Sequence, residues 1–213
     1  DKVYLPSKSA VTSIFNDDEY LGNYTQEKLS AKALKVSTIT DELKIASQGF
    51  SDVYSFAPGQ AEAIITAGHA GNNAYWINDY TGKWATSTYY QSLHWTVDLE
   101  NRNGIYSTSL GSLYWRPLLP IAQYNAFPYT KNKVSFQHLF DSYEVLKHTP
   151  LTNENTRNIS LQLAEKADLG KRSYPDFLSL VFYAGNYPNA VDKNYSNELQ
   201  DTYARLGRDI ESL

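Results

Sequence analysis

The run Phe177-Leu-Ser-Leu-Val-Phe-Tyr183 decides the fold class of this chain. A continuous apolar run of this length is typical of a strand that is buried in a parallel sheet. Helical patterns lie on both sides of it, one over 153–169 and one along the last residues of the chain. The apolar stripe of the last helix consists of Leu199, Tyr203, Leu206, Ile210 and Leu213. An α/β fold is predicted by this order of elements: a helix, a buried strand, a loop and a second helix.

Two kinds of element are predicted further upstream. Thr38, followed three residues later by Asp41, forms a capping-box pattern that predicts the start of a helix. Two short apolar runs, 53–56 and 63–67, are interpreted as strands, and the Pro58-Gly59 turn separates them.

A β-hairpin is predicted between Tyr75 and Tyr90. Residues 79–82 supply the turn, and the second arm alternates aromatic and threonine side chains. Residues 91–151 contain several prolines and are interpreted as loop-rich packing, whereas residues 1–36 are predicted to be irregular.

Composition restricts the classes of function. The 213 residues include no Cys, which excludes disulfides and thiolate metal sites. The net charge is −4 and the cations are not clustered, so no nucleic acid partner is expected. No apolar stretch approaches the roughly 20 residues that cross a bilayer, so no membrane span is expected. The chain lacks Met and begins with Asp1, as expected of a processed or excised chain.

The spacing of side chains identifies no chemistry. None of the four histidines pairs with another histidine or a carboxylate at the spacing of a zinc-binding helix. A Gly-rich phosphate loop, a nucleophile elbow and a dinucleotide fingerprint are also absent from the sequence. The carboxylates at 17–19 are interpreted as a solvated acidic turn.

Three runs carry a resemblance to a known family. They are Ser37-Thr-Ile-Thr-Asp-Glu-Leu-Lys-Ile-Ala46, Ala67-Gly-His-Ala-Gly-Asn-Asn-Ala-Tyr-Trp76 and Thr81-Gly-Lys-Trp-Ala-Thr-Ser-Thr-Tyr-Tyr90. Together they resemble the middle of the alkaline phosphatase superfamily, in its phosphate-irrepressible, phosphodiesterase and nucleotide pyrophosphatase-like branch. The resemblance covers residues from about 30 to 100, and 170 to 213 more loosely.

The resemblance implies a fold and a domain organisation. The fold is an alkaline-phosphatase-like sandwich, in which helices flank a mostly parallel sheet and a β-hairpin lies in an insertion. Residues 1–213 are expected to form a single domain, excised from the centre of a larger fold of this kind. Within it, about 50–150 is expected to be cap-like, and about 151–213 to supply a core strand and helices.

The same resemblance implies that a cationic clamp has been lost. In the family, a Lys-x-Arg pair precedes the Ala-Gly-His segment and contacts the transferred phosphoryl group, where charge accumulates in the transition state. Counted back from Ala67-Gly68-His69, these positions fall on Gly59 and Ala61. Neither residue is charged, so neither can stabilise that charge.

Two zinc ligands are also expected to be missing. The strand at Phe177 resembles the family strand that leads into an Asp-Tyr-x-x-His segment, whose Asp and His bind zinc. Here the matching positions hold Asn186 and Ala190. An amide lacks the anionic oxygens of a zinc ligand and a methyl group has no donor atom. No cofactor is therefore expected in this chain, although the family uses zinc.

Three hypotheses of function follow. The first is a phosphatase relative that does not catalyse, whose pocket still binds a small molecule or phosphoester; the residues proposed for it are His69, Asn72, Asn73, Trp76 and Thr88. The alternative interpretation is that these residues only shape a loop and pack the hairpin. The second hypothesis is a zinc-dependent phosphomonoesterase or phosphodiesterase, completed by the rest of its polypeptide. The third is an aromatic-rich module for ligands or glycans. A periplasmic or secreted location is expected from the family.

Overall fold

The computed structural model describes residues 2–5, 10–104, 110–125, 135–190 and 196–213. Its strands are β1 (Lys2–Leu5), β2 (Ala10–Ser13), β3 (Gly22–Asn23), β4 (Val53–Ala57), β5 (Asn73–Ile77), β6 (Trp84–Ser87), β7 (Tyr114–Trp115), β8 (His138–Leu139) and β9 (Phe177–Leu180). Its α-helices are α1 (Ile39–Ala46), α2 (Gln60–Ala67), α3 (Trp95–Asn103), α4 (Tyr143–Leu146), α5 (Pro150–Lys166) and α6 (Asn197–Glu211). No helix within these ranges has the length and apolar character needed to traverse a membrane.

A five-stranded mixed sheet with the order β3-β6-β5-β4-β9 is the centre of the fold. Strand β4 pairs in parallel with both β5 and β9, and Phe56 lies opposite Tyr75 on one side and Leu180 on the other. The prediction of an α/β fold is confirmed. Among the described residues β9 has one neighbouring strand, so its side chains are half-buried, where the sequence predicts full burial.

The predicted hairpin is confirmed. Its arms are β5 and β6, which pair antiparallel with Ile77 opposite Trp84. Because β5 also pairs in parallel with β4, the hairpin extends the main sheet. The hairpin is thus continuous with the main sheet through β5.

One predicted strand is wrong, because residues 63–67 lie in helix α2. Two adjacent parallel strands cannot be joined by a tight turn, and their crossover is usually a helix. Helix α2 is that crossover between β4 and β5, and Gly59 is its N-cap. Its buried residues are small or branched and pack on the sheet: Ala61, Ala63, Ile64 and Ala67.

Regular structure also occurs where the sequence predicts none. Strands β1 and β2 pair antiparallel within residues 1–36, and helix α3 lies within the stretch interpreted as loop-rich. The side chain of His94 caps α3 by accepting a hydrogen bond from the backbone of Thr96, which is a less common cap than Ser, Thr, Asp or Asn.

The core lies on both faces of the sheet, since alternate strand residues point to opposite sides. Phe56 and Tyr75 belong to a cluster that includes Val97 of α3 and Leu163 of α5. Trp76 belongs to the second cluster, which packs against α2.

Helix α6 is confirmed, but its apolar stripe does not face the core. Tyr203, Ile210 and Leu213 are each more than half exposed. The buried face carries Asp201 and Asp209 instead. The burial of these carboxylates has a physical reason, because they are held by hydrogen bonds and ion pairs from neighbouring segments.

Candidate functional site

A cleft of about 380 Å³ lies at the carboxyl ends of β4 and β5. In open α/β sheets, ligands bind at this edge of the sheet, so we take this cleft as the candidate site. Its walls come from the turn after β4, the turn after β5, the segment before α5, and two residues near the start of the chain. The lining residues are Lys2, Glu27, Gly59, Gln60, Trp76, Ile77, Asn78, Asp79, Tyr80, Glu144, Lys147 and His148.

The two positions that the resemblance assigns to the cationic clamp lie at this edge. Gly59 lines the cleft, whereas Ala61 is buried in the first turn of α2. A Cβ built on Gly59 would meet the carboxylate of Glu62. The space beside Gly59 is therefore occupied by a negatively charged group, where the family is expected to have a cation.

Glu27 brings a carboxylate to the cleft. Although Glu27 is exposed as a whole residue, loss of water around its carboxylate is the main cause that raises its pKa, and the charge of Asp79 raises it further. The indole N–H of Trp76 opposes this rise, although it makes no hydrogen bond of standard geometry. With its amide nitrogen turned towards Glu27, Gln60 donates to the two carboxylate oxygens at 2.9 and 2.8 Å.

The cation that lies deepest in the cleft wall is already paired. The Lys147 ammonium, whose side chain is 14% exposed, forms an ion pair with Asp79. Asn78 holds the turn, because its Oδ1 accepts hydrogen bonds from the backbone N–H groups of Tyr80 and Thr81. Glu27, Asp79 and Glu144 outnumber the two lysines of the lining. The potential of the cleft therefore does not favour a phosphoryl group.

The two positions assigned to zinc ligands follow β9. Ala190 is buried, and the Oδ1 atom of Asn186 is buried without a hydrogen-bond partner among the described residues. The Tyr183 hydroxyl donates to the backbone carbonyl of Asn186 at 2.6 Å, and both backbone groups of Tyr183 bond the side chain of Asn153 at 2.7 Å. These hydrogen bonds tie residues 183–186 to helix α5.

This donor set does not fit zinc. Zinc in proteins takes thiolate, imidazole and carboxylate ligands, and these two positions offer a neutral amide oxygen and a methyl group. Within the described ranges, no group of three or more His, Cys, Asp or Glu side chains is arranged to hold a metal ion.

Two of the residues proposed to bind a ligand, His69 and Asn72, lie near the amino end of β5, away from the cleft. His69 contacts Asp41, with 2.8 Å between Nδ1 and Oδ2. Asn72 accepts hydrogen bonds from Lys44 Nζ at 2.7 Å and from the backbone N–H of Val53 at 3.0 Å. These contacts tie the loop after α2 to α1 and β4.

The remaining residues proposed to bind a ligand are also held by the fold. The Asn73 amide donates to the backbone carbonyl of Ser92 at 3.3 Å. The Thr88 hydroxyl accepts from the backbone N–H of Leu21 at 2.8 Å. Trp76 alone of the five lines the cleft, so the structure does not bring the proposed set together.

Comparison with known proteins gives the family context. No protein-family model matches the chain. Alkaline phosphatase PhoV of Synechococcus elongatus is 32% identical over 215 residues, which cover 91% of this chain and 38% of PhoV. Alkaline phosphatase PafA of Elizabethkingia meningoseptica is 29% identical over 233 residues, covering 98% of this chain and 40% of PafA. A protein of Myroides odoratus named as a calcium-transporting ATPase is 32% identical over 206 residues, covering 85% and 36% respectively.

The structural comparison decides the relationship. The crystal structure of wild-type PafA superposes with a TM-score of 0.81 and 25% identity, covering 99% of this chain and 44% of PafA. The chain is related to the alkaline phosphatase superfamily. It spans less than half the length of each of these relatives, so the relationship concerns one segment of that fold.

Several cleft residues of this phosphatase relative are not identified by sequence reasoning. Glu27, Gln60, Asn78 and Lys147 come from separate parts of the chain and form no motif. Only Asn78 carries a usable signal, because it lies at the end of the predicted first arm of the hairpin, next to the turn, and α/β folds place functional groups at the ends of strands. The others enter the cleft through tertiary packing.

Proposed function

We propose that this chain is a segment of an alkaline phosphatase relative that does not carry out phosphoryl transfer. The observation that carries the proposal is the charge at the carboxyl edge of the sheet. Gly59 lines the cleft without a side chain, and the carboxylate of Glu62 occupies the adjacent space. Catalysis of phosphoryl transfer depends on cations placed where negative charge develops.

The second support is the loss of metal ligands at Asn186 and Ala190. A metal ion in such enzymes stabilises the attacking and leaving oxygens, and losing two ligands removes most of the affinity that holds it. The clamp and the ligands are lost at separate places in the fold, after β4 and after β9. Neither loss therefore depends on the other.

The cleft can still serve as a binding site. A small molecule that enters it meets the carboxylates of Glu27 and Asp79 and the amide of Gln60. Neutral or cationic groups are expected to bind there better than phosphate. A periplasmic or secreted location, as expected from the family, belongs to the same proposal.

The test is zinc content together with phosphoesterase activity of the purified chain, with PafA assayed in parallel as the active control. After dialysis against a weak chelator, we expect far less than one zinc per chain and no hydrolysis of p-nitrophenyl phosphate or its bis ester. A zinc content of one per chain, or hydrolysis that is inhibited by a chelator, would overturn the proposal and favour the zinc-dependent alternative. The variant Glu27→Gln is the control for contamination. Hydrolysis by a contaminating phosphatase would be the same in this variant and in the wild type, because the contaminant does not respond to a change in the cleft.

A further inference from the structure

A second cleft, of about 280 Å³, lies between the first half of α5 and the second half of α6. It shares no lining residue with the carboxyl-edge cleft. Its lining residues are Pro150, Glu154, Arg157, Arg205, Arg208 and Asp209. Three guanidinium groups thus line the cleft together with two carboxylates, and Arg205 is also paired with the buried Asp201.

Two of the arginines are fixed in the cleft walls. Arg157 Nη1 donates to Asp209 Oδ1 at 2.7 Å, and its side chain is 19% exposed. Arg205 donates to Asp201 at 2.7 Å and to the backbone carbonyl of Arg116 at 2.8 Å. Guanidinium groups held in this way lose little further conformational entropy when they bind an anion.

The third arginine is uncommitted. Arg208 lies one turn beyond Arg205 on α6, it is exposed, and its guanidinium group makes no hydrogen bond or ion pair within the described ranges. Pro150 places the N-terminus of the 17-residue helix α5 at the cleft, and a helix N-terminus favours an anion. Both features point to an anionic ligand.

The carboxylate of Asp209 favours a ligand that can donate a hydrogen bond. Its Oδ1 is paired with Arg157, but its Oδ2 is buried and accepts no hydrogen bond from the described residues. Burial is the main cause that raises the pKa of this carboxyl, and Arg157 opposes the rise. An acceptor that is left buried without a donor is costly, so a ligand carrying an O–H group would relieve that cost.

We propose that the cleft between α5 and α6 binds inorganic phosphate, with Arg157, Arg205 and Arg208 around its oxygens and Asp209 Oδ2 accepting its P–O–H proton. Guanidinium groups match the oxygens of phosphate in geometry and charge. Sulfate has the same shape but carries no proton at neutral pH. The site therefore distinguishes the two anions through Asp209. A phosphomonoester dianion also lacks this proton and is expected to bind less tightly than free phosphate.

The experiment is calorimetric titration of the purified chain with phosphate, sulfate and p-nitrophenyl phosphate at matched ionic strength. We expect phosphate to bind at least about tenfold more tightly than sulfate, since a hydrogen bond to a charged group is lost with sulfate. Arg208→Gln should weaken phosphate binding by about tenfold or more. Arg102 is an exposed arginine on α3, so Arg102→Gln is the matched control and should leave the affinity for phosphate unchanged.

Three results would overturn the proposal: no phosphate binding, equal affinity for sulfate, or full affinity in Arg208→Gln. Asp209→Asn should abolish the preference over sulfate, and its thermal unfolding shows whether the variant is folded. If that variant does not fold, the sulfate comparison and Arg208→Gln still decide. Amide NMR shifts induced by phosphate should map to α5 and α6, and shifts confined to Gly59 and Asn78 would contradict the site.

Discussion

The imidazole of His69 lies against the carboxylate of Asp41, with 2.8 Å between Nδ1 and Oδ2. Asp41 is also the third residue of helix α1 and completes the capping box with Thr38. Gly68, with a φ of +70°, allows this approach, because a Cβ there would meet the side chains of Thr38, Thr40 and Asp41. The Ala-Gly-His segment is therefore held to the start of a helix, and this contact accounts for the histidine without a ligand.

Asp41→Asn should destabilise the chain. The buried carboxylate accepts hydrogen bonds from the backbone N–H groups of Thr38 and Ala70, both at 2.8 Å. Loss of hydrogen bonds to a charged group costs about 1.5–3 kcal/mol. The measurement is urea unfolding at neutral pH, and Glu42→Gln, an exposed neighbour on the same helix turn, should be close to neutral. Equal losses in the two variants would contradict the role of Asp41.

The effect of Asp41 on stability should also depend on pH. Burial raises the pKa of this carboxyl, but the hydrogen bonds from His69, Thr38 and Ala70 outweigh it, so the net pKa is below its ordinary value. A carboxyl with a lowered pKa stabilises the fold above its unfolded pKa of about 4, and this contribution is lost as pH falls further. The difference between the wild type and Asp41→Asn should therefore narrow below about pH 4. A constant difference would be inconsistent with this linkage.

Asp201→Asn should destabilise the chain more strongly. This fully buried carboxylate accepts from Trp115 Nε1 at 2.5 Å, the Tyr124 hydroxyl at 2.6 Å and Arg205 Nε at 2.7 Å. Removing one partner of a buried ion pair typically costs about 3–5 kcal/mol. Glu211→Gln, at the exposed end of the same helix, is the control in chemical denaturation. Near-equal midpoints for the two variants would mean that Asp201 does not anchor α6.

Alkaline titration should separate buried from exposed tyrosines among the 18 in the chain. Burial, aided by the hydrogen bond to Asp201, raises the pKa of Tyr124 to about 12, and burial also raises the pKa values of Tyr75 and Tyr90. A raised pKa contributes stability that is complete below the unfolded value of about 10 and is lost as pH rises towards 12. Tyrosinate absorbance should therefore reach its full value only on unfolding. Tyr124→Phe should reduce the late phase alone, and a reduced early phase would refute the assignment.

Acrylamide should quench mainly one tryptophan. Trp76, Trp84 and Trp115 are at most 1% exposed, whereas Trp95 is 56% exposed. Trp95→Phe should remove most of the quenchable fluorescence, with Tyr114→Phe as an exposed aromatic control that leaves it intact. Strong quenching that persists in Trp95→Phe would show that the other indoles reach solvent, and would revive the proposal of an aromatic binding platform.

Local signals were sufficient for several elements. The capping box of α1, the run of β9 and the turn between β5 and β6 each depend on residues close together in sequence. The sequence alone does not distinguish a strand from a helix at residues 63–67, because a short apolar run fits a strand or a buried helix equally well. Only the parallel pairing of β4 with β5 requires a crossover helix there.

The sequence by itself determined the α/β class, most of the long elements and the uncharged residues at Gly59, Ala61, Asn186 and Ala190. These follow from side-chain chemistry and local periodicity, which need no knowledge of distant contacts. Tertiary structure alone decided which groups share a cleft, because the paired groups are far apart in the sequence. Glu27 and Gln60 are separated by 33 positions. Arg157 and Asp209 are separated by 52 positions. It also decided that α6 buries its carboxylates, since the donors that make such burial favourable come from other segments.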